Sequence, residues 1–339
     1  MVVKKDIRSL SIHQLKEILE ENSFQSFRAK QIYHWLWKKS SHDFSSMHNL
    51  PNELLTFLEN NFVIRNIEIS KQQKSKDGTI KNAIKLFDDL IVECVLIPSK
   101  DRITACVSSQ VGCSLNCKFC ATARLKRMRN LNADEIYDQV VLIAKQSQDF
   151  YKRPLTNIVF MGMGEPLMNY KNVIKAIEMI TSNEGLGMSS KRIVLSTSGV
   201  PKMIKKMADD KVKFRLAVSL HSAIDKIRTR IMPFNAKMGL TELGDSLEYW
   251  YDKTKSLVTY EYVVWKGVND KEEDIDALVN FCKKIPSKVN LIQYNSIDDP
   301  NFIQASDETL SNYISSLEKN NITATIRMSR GNDIDAACG

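Results

Sequence analysis

Three cysteines between positions 113 and 120 dominate the chemistry open to this chain of 339 residues. Cys113, Cys117 and Cys120 are separated by three and two residues, which places three thiols on one short loop. A cubane iron–sulfur cluster usually takes four cysteine ligands, one at each iron, so three would leave one iron with an open coordination position. A zinc site usually adds a second nearby pair of cysteines or histidines, which the sequence around this loop lacks. The spacing therefore favours a substrate-binding [4Fe–4S] cluster over a zinc knuckle.

Strand and helix patterns alternate from residue 102 onward, and the cysteine loop follows the first predicted strand. Short apolar runs predict six strands, at 103–108, 157–162, 192–196, 214–219, 258–264 and 290–294. Amphipathic stretches predict helices between them, at 133–146, 171–183, 201–209 and 270–284. Six β/α repeats favour an α/β fold in which a parallel sheet curves into a partial (β/α)6 barrel. Functional residues should then lie at the carboxyl ends of the strands, where the cysteine loop also falls.

The residues before the barrel predict two further units. Residues 1–62 predict a small helical accessory domain, its helices lying at 11–21, 28–38 and 52–61. The middle helix combines aromatic and basic residues and could bind a nucleic acid such as RNA, although burial of Trp35 and Trp37 in a small core is at least as good an interpretation. Residues 63–101 predict a β-rich linker or extension made of two strand pairs. The barrel and a C-terminal catalytic tail then take residues 102–339.

Small polar residues and glycines follow several predicted strands. The run from Gly162 to Leu167 follows the second strand, and its glycines would let a ligand approach the backbone beside Glu165. The candidate binding residues at strand ends are Gly164, Glu165, Ser196, Ser219, Leu220, His221 and Asn295. Any one of them could simply cap a helix or a turn, and it is their shared location that favours a binding site.

The formal net charge of +8 and the pI near 9.0 allow a polyanionic partner. Residues 118–129 contain five Lys or Arg and no acid, and residues 191–230 contain eleven Lys or Arg against three Asp. Charge runs usually mark solvated helix faces. Because one of these runs adjoins the cysteine loop, we expect both stretches to bind the phosphates of a polyanionic partner such as a nucleic acid.

Composition also limits the compartment. No apolar run approaches the ~18 residues of a membrane span, and the N-terminus lacks the apolar core of a signal peptide. Seven cysteines form an odd set that fits no secreted disulfide framework. We therefore expect a cytoplasmic protein with reduced thiols and no membrane contact.

Four motifs taken together resemble one family. They are the cysteine loop with Phe119 before its last cysteine, the run from Gly162 to Leu167, the triplet Ser219-Leu220-His221, and the tail 330–339 with Cys338. Over essentially its whole length the chain resembles the RlmN-type RNA adenine C2 methyltransferases and their Cfr-type C8 relatives, which are radical S-adenosylmethionine (SAM) enzymes. Pro166 and Arg330 favour the RlmN type, since Cfr-type chains tend to have alanine in place of the proline.

The resemblance implies where the cofactors bind. Cys113, Cys117 and Cys120 would hold the [4Fe–4S] cluster, and its open iron would chelate the amino and carboxylate groups of SAM. Glu165 and the glycines beside it would receive the SAM ammonium group. The remaining strand-end residues would bind its ribose or methionine part. Ala123 stands where the family has glycine, a departure that puts the shape of the loop beside the cluster in question.

The resemblance also implies roles for two cysteines outside the cluster. One SAM would methylate Cys338, and a second would supply the radical that takes a hydrogen atom from the S-methyl group. The carbon radical would add to C2 of adenine, which is too electron-poor to attack a methyl group itself. Cys106 would then assist proton removal and attack the Cys338 sulfur, releasing methyladenine and leaving a disulfide. Glu93 matches the family's proton acceptor, although an ordinary solvent-facing carboxylate is the simpler interpretation.

The family's substrates are an adenine of 23S rRNA in the peptidyl-transferase region and the adenine 3′ to the anticodon of some tRNAs. The resemblance further implies an electron donor such as flavodoxin and a monomeric enzyme. Three alternatives remain at this point: Cfr-type C8 methylation, activation of a glycyl-radical partner, and a non-catalytic iron–sulfur RNA-binding protein. The activase would require neither Cys106 nor Cys338, and the non-catalytic protein would not cleave SAM.

Overall fold

A ten-stranded sheet forms the centre of the computed structural model, which describes residues 4–296 and 299–336. Its strands lie in the order β14-β13-β12-β11-β10-β9-β6-β5-β4-β3. The parallel strands are β6 (Ile103–Cys106), β9 (Asn157–Phe160), β10 (Ile193–Thr197), β11 (Arg215–Ser219), β12 (Val258–Val263), β13 (Ser287–Ile292) and β14 (Thr323–Arg327). Since β14 pairs only with β13 in this sheet, the barrel is partial.

Helices cover the outer face of the parallel strands and complete the β/α repeats. These helices are α4 (Ala133–Tyr151), α5 (Tyr170–Thr181), α6 (Pro201–Asp209), α7 (Asp225–Ile231), α8 (Leu240–Thr254), α9 (Glu272–Cys282) and α10 (Asp307–Lys319). The start of α4 shows why the sequence places a helix there, because Glu135 accepts a hydrogen bond from the backbone N–H of Asn132 at 2.8 Å. The α/β partial barrel expected from the sequence is therefore confirmed.

Three antiparallel strands extend the sheet beyond β6. They are β3 (Glu68–Lys74), β4 (Ile80–Lys85) and β5 (Ile91–Pro98), and β5 pairs directly with β6. The turn between β3 and β4 needs Gly78, whose φ is +89°. Because this extension shares the barrel's hydrogen-bonding ladder, its strands have a fixed register against the strand that carries Cys106.

The N-terminal region packs as a helical unit against α4. Its elements are α1 (Ile12–Glu21), α2 (Arg28–Tyr33) and α3 (Asn52–Asn61), with a parallel pair made by β1 (Lys5–Asp6) and β2 (Phe62–Val63). The α2 helix continues as a π-helical turn, His34–Lys38, which buries Trp37 edge-on against Tyr137 of α4 at 5.1 Å between ring centroids. Trp37 is thus a core residue, and the helical unit is fixed to the barrel.

A short antiparallel pair lies beside the cysteine loop. It is formed by β7 (Gln110–Val111) and β8 (Arg129–Asn130). Gln110 links the pair to the glycine run, because its side-chain oxygen accepts a hydrogen bond from the backbone N–H of Glu165 at 2.9 Å. The cysteine loop and the glycine run are therefore held at the same end of the barrel. None of the described helices is long and apolar enough to cross a membrane.

Candidate active site

A cavity at the carboxyl ends of the parallel strands brings most of the sequence-predicted site residues together. Its lining includes Cys113, Cys117, Cys120, Gly164, Glu165, Ser196, Ser219 and His221. Leu220 and Asn295 do not line it. Leu220 is buried in the core, and its carbonyl oxygen accepts a hydrogen bond from Arg228, whereas Asn295 is half-buried. A role for these two side chains in binding SAM stays a prediction.

The backbone of the cysteine loop is shaped by residues with positive φ. Gly112 has a φ of +71°, and a Cβ there would lie 2.4 Å from the carbonyl oxygen of Lys126. Asn116 has a φ of +59°, a conformation that asparagine tolerates better than most residues. The backbone N–H of Lys118 donates to the carbonyl oxygen of Ile231 at 2.9 Å. These constraints turn the loop so that all three thiols border one cavity.

Phe119 packs the loop onto an apolar cluster of its own. Its ring lies 4.7 Å from the ring of His221 and 4.9 Å from that of Trp265, centroid to centroid. Cys117 belongs to the same buried cluster. The aromatic residue before the last cysteine therefore fixes the loop that carries the thiols.

Burial raises the pKa of Cys113 and of Cys117, and the neighbouring cysteines add to the shift. Among the described residues no three His, Cys, Asp or Glu side chains gather closely enough for a single metal ion. A cubane cluster bonds each thiolate to a different iron, so it requires three thiols around a shared space. Cys113, Cys117 and Cys120 satisfy that requirement. The donor set thus fits a [4Fe–4S] cluster with one open iron.

Glu165 lies at the floor of the cavity and is only 2% exposed. One carboxylate oxygen accepts from the N–H of Leu167 at 3.0 Å and the other from the N–H of Ser198 at 2.8 Å. Burial nevertheless raises the pKa of this carboxyl group. A ligand's ammonium group would offset the cost of burying the charge. Gly164 must stay small, because its φ is +94° and a Cβ would lie 2.4 Å from that of Gln110.

His221 is a neutral hydrogen-bonding residue of the cavity wall. Burial and the nearby charge of Arg228 lower its pKa to about 3. Its Nδ1 accepts a hydrogen bond from the backbone N–H of Val263 at 3.2 Å, which leaves the proton on Nε2. His221 can therefore donate one hydrogen bond to a ligand but does not act as a base at neutral pH.

Arg228 is a buried residue of this region that the sequence did not single out. It is fully buried, and it donates to the carbonyl oxygens of Ser198 at 2.6 Å and Leu220 at 3.1 Å. These bonds tie together the loops that follow β10 and β11. Arg228 also adds a favourable charge near Cys117. The sequence did not predict this structural role, because Arg228 belongs to a basic run that was expected to contact RNA.

Glu261 and Arg327 are two further residues that the sequence did not identify. Glu261 on β12 is 3% exposed, and Arg327 at the end of β14 lies 3.9 Å from its carboxylate. Both line the cavity at the carboxyl ends and a second cavity below it. The sequence signal that could have identified Glu261 is the presence of an acid within the largely apolar strand Val258–Val263.

Glu93 and the C-terminal segment are linked by Lys81, and Cys106 lies on the strand next to that of Glu93. Cys106 is buried on β6 and pairs with Val95 of β5, two residues after Glu93. Lys81 of β4 lies 3.5 Å from the Glu93 carboxylate and donates to the carbonyl oxygen of Asp335 at 3.1 Å. Cys338 lies outside the described residues. No disulfide joins two of the cysteines that the structure describes.

Comparison with known proteins identifies the family. Residues 107–281 match the radical SAM superfamily, and residues 5–64 match the ribosomal RNA large subunit methyltransferase N-terminal domain. A protein of Flavobacterium psychrophilum named probable dual-specificity RNA methyltransferase RlmN is 63% identical over 338 residues, which covers 100% of this chain and 97% of the relative. This chain belongs to the RlmN family of radical SAM methyltransferases.

More distant relatives agree over the full length. The dual-specificity RNA methyltransferase RlmN of Geotalea uraniireducens is 40% identical, with 99% of this chain and 96% of the relative covered. The crystal structure of a radical SAM methyltransferase from Sphaerobacter thermophilus superposes with a TM-score of 0.92 at 35% identity, covering 99% of this chain and 98% of that one. The predicted fold and family are thus confirmed, and the chain is a SAM-dependent radical methyltransferase.

The departure at Ala123 changes little in the loop. Ala123 lies within a short 3-10 helix, Ala121–Arg124, that follows the last cysteine. Its backbone therefore has helical angles that alanine adopts readily. Alanine is therefore accommodated here at no conformational cost, and its side chain borders the cavity.

Proposed function

We propose that this enzyme methylates C2 of adenine in RNA through a methyl group carried on Cys338. The substrates proposed are adenine 2503 of 23S rRNA and adenine 37 of tRNA. The names of the relatives, which act on RNA with dual specificity, support RNA as the substrate class. The best structural support is the C-terminal segment that leads to Cys338, because the carbonyl oxygen of its Asp335 accepts a hydrogen bond from Lys81, the ion-pair partner of Glu93.

The segment that follows β14 crosses to the β3–β4 turn. Asp333 accepts hydrogen bonds from the Ser75 hydroxyl and from the N–H of Lys76, and Asp77 accepts from the N–H of Gly331. The described part ends at Ala336, two positions before Cys338, where Lys81 joins Asp335 to Glu93. This anchoring supports a carrier cysteine that works close to β5 and β6.

Cys106 is the proposed resolving thiol. It is buried on β6, and the chain continues from it into the cysteine loop. Its sulfur would form an S–S bond with Cys338 while the bond between the Cys338 sulfur and the transferred carbon breaks. That carbon then takes up a proton and leaves as the methyl group of the product. Glu93, held near Lys81, is the proposed acceptor of the proton lost from the adenine ring before this step. The ring radical must also lose one electron, and the cluster, when bound, would be its acceptor.

The cavity at the carboxyl ends of the strands is the proposed site for the cofactors. When bound there, the cluster and SAM supply both the methyl group and a 5′-deoxyadenosyl radical, with two SAM molecules used per turnover. Cys113, Cys117 and Cys120 hold the cluster. Glu165 receives the SAM ammonium group, and Ser196, Ser219 and His221 offer hydrogen bonds to the rest of the molecule. We further propose a monomeric cytoplasmic enzyme reduced by a flavodoxin-like electron donor.

Single cysteine variants of the reconstituted enzyme test this proposal with 23S rRNA fragments and tRNA. Cys338→Ala removes the carrier, so it should form neither product nor a protein–RNA crosslink. Cys106→Ala should accumulate a covalent protein–RNA species through Cys338, because the adduct forms but is not released. Cys94→Ala is the matched control, since this buried thiol beside Glu93 has no proposed role.

Two results would overturn the mechanism: full turnover by Cys106→Ala, or a crosslink formed by Cys338→Ala. Mass spectrometry of the modified adenine decides between C2 and the Cfr-type C8 product. Turnover without RNA would instead indicate a glycyl-radical activase. The absence of reductive SAM cleavage would indicate a non-catalytic RNA-binding protein.

A further inference from the structure

A second cavity lies inside the barrel at the end opposite the cysteine loop. It has a volume of about 540 Å³, within the ~300–1,000 Å³ range of sites that bind small molecules. Its lining includes residues near the beginnings of the parallel strands, such as Thr104, Asn157 and Thr259. The two cavities share Met161, Glu261 and Arg327, so a ligand in one can reach toward the other.

The charge of this lower cavity is strongly positive. Its lining contains five cationic side chains and one carboxylate: Arg102, Arg215, Lys288, Arg327, Arg330 and Glu261. Arg327 lies 3.9 Å from Glu261. Throughout residues 4–296 and 299–336, the other four cations form no ion pair and no side-chain hydrogen bond with the protein. Several like charges around one cavity repel one another unless an anion lies between them.

The position of these four cations indicates what kind of anion they bind. Arg102 immediately precedes β6, Arg215 begins β11, and Lys288 is the second residue of β13, so the charges surround the lower opening of the barrel. Arg330 contributes from the segment that leads into the tail and also borders a small cavity beside Ala336. The four cations come from four separate parts of the chain around the opening. A chain of linked phosphates offers an anionic group to each of them.

We propose that this lower cavity binds the sugar-phosphate backbone of a single-stranded RNA segment next to the target adenosine. The proposal rests on RNA being the substrate and names the part of the protein that holds it. Phosphate contacts would fix the position and register of the RNA without reading its bases. The shared residues Met161, Glu261 and Arg327 mark the passage through which the target base would reach the cofactor cavity.

The double variant Arg215→Gln/Lys288→Gln tests the proposal in the full-length holoenzyme with a labelled anticodon stem-loop RNA. Each lost phosphate contact lowers the slope of log K against log salt by about 0.7 for a single strand, so the slope should fall by about 1.4. Affinity at physiological salt should then drop by more than about tenfold. Reductive SAM cleavage without RNA should stay at the wild-type level.

The matched control is Lys145→Gln/Lys171→Gln, which removes the same charge from exposed positions on α4 and α5 outside both cavities. An affinity and a salt slope that match this control would overturn the proposal and assign the four cations to a solvated opening. RNA binding is measured without any methylation, so it tests the cavity independently of the proposed reaction. If the wild-type enzyme bound the RNA but left it unmethylated, the proposed function would fail, and the salt slope would still decide whether this cavity holds RNA.

Discussion

Asp333 accepts a hydrogen bond from the hydroxyl group of Ser75 at 2.5 Å, which joins the segment after β14 to the β3–β4 turn. The two residues are 258 positions apart, yet the contact fixes where the chain runs before it reaches Cys338. The same carboxylate accepts from the N–H of Lys76, and Asp77 accepts from the N–H of Gly331. The β extension therefore positions the C-terminal segment as well as widening the sheet.

Asp333→Ala should lower RNA methylation while leaving reductive SAM cleavage at the wild-type rate. The variant loses both hydrogen bonds to the turn, so the carrier cysteine is less well positioned, and a displacement of about 1 Å can cost up to about 100-fold in rate. Ser75→Ala should have a smaller effect in the same direction. Glu318→Ala, an exposed acid on α10, is the control. Equal losses of methylation and SAM cleavage would show that the contact serves overall folding instead.

Cys117→Ala should strip the iron–sulfur cluster or make it labile. Three thiols border the cavity, and the loss of one leaves too few ligands to hold a cubane that already has an open iron. Iron content and visible absorbance of the reconstituted variant measure the loss. Cys282→Ala, a buried cysteine on α9 that does not line the cavity, should retain the cluster. A Cys117→Ala enzyme with full iron content and SAM cleavage would contradict the ligand assignment.

The sequence predicted the chemistry of the site better than its supporting contacts. The spacing of Cys113, Cys117 and Cys120 constrains their geometry directly, since residues on one short loop must lie close together. The six predicted strands are present in the parallel sheet, because short apolar runs between amphipathic helices reflect burial on both faces. The seventh strand, β14, was missed because Thr323–Arg327 is short, lies at the edge of the sheet and therefore lacks the apolar run that marks the other six strands.

Contacts between distant parts of the chain lie beyond what local sequence patterns indicate. Arg129 belongs to a basic run, yet it pairs with Asp88, 41 positions earlier, and with Glu135 of α4. Arg228 belongs to the other basic run and is fully buried. The expectation that these stretches bind RNA is therefore wrong for the buried Arg228. For Arg129, which is half-buried and paired with two carboxylates, it stays a prediction. A run of like charges identifies cations but not the carboxylates or carbonyl oxygens that the fold brings to them.

Lys126→Gln/Arg127→Gln should weaken RNA binding and reduce its salt dependence, because both residues are exposed beside the cysteine loop. Two lost phosphate contacts correspond to a slope lower by about 1.4–1.8. Arg129→Gln should instead lower stability by about 2–3 kcal/mol, since it removes the cation that pairs with the buried carboxylate of Glu135. Salt titrations and thermal melts separate the two effects. If Arg129→Gln melted at the wild-type temperature and its RNA binding depended less on salt, Arg129 would be an RNA contact and not a structural ion-pair residue.

A buried cluster of charges joins the N-terminal unit to α4. The guanidinium group of Arg8 lies 2.8 Å from Asp138, 3.4 Å from Asp134 and 3.6 Å from Asp6. Lys175 adds a second cation, donating to the carbonyl oxygen of Arg8 at 2.9 Å. Three carboxylates thus share two cations away from water. Burial raises the pKa of Asp134 to about 7, although the charge of Arg8 acts in the opposite direction.

The raised pKa of Asp134 gives stability a pH dependence that Asp134→Asn should remove. The folded protein holds this proton up to about pH 7, whereas the unfolded chain loses it near the ordinary value of 3.8. The folded state therefore binds more protons between about pH 4 and 7, and its stability falls as the pH rises through that window, by at most about 4 kcal/mol. Because asparagine stays neutral, the stability of Asp134→Asn relative to wild type should increase over the same window.

Thermal melts at pH 5 and pH 8 measure the difference, with Asp149→Asn, an exposed acid on the same helix, as control. A gap between wild type and Asp134→Asn that stays constant with pH would mean that Asp134 is ionised throughout and that Arg8 and Lys175 fully compensate its charge.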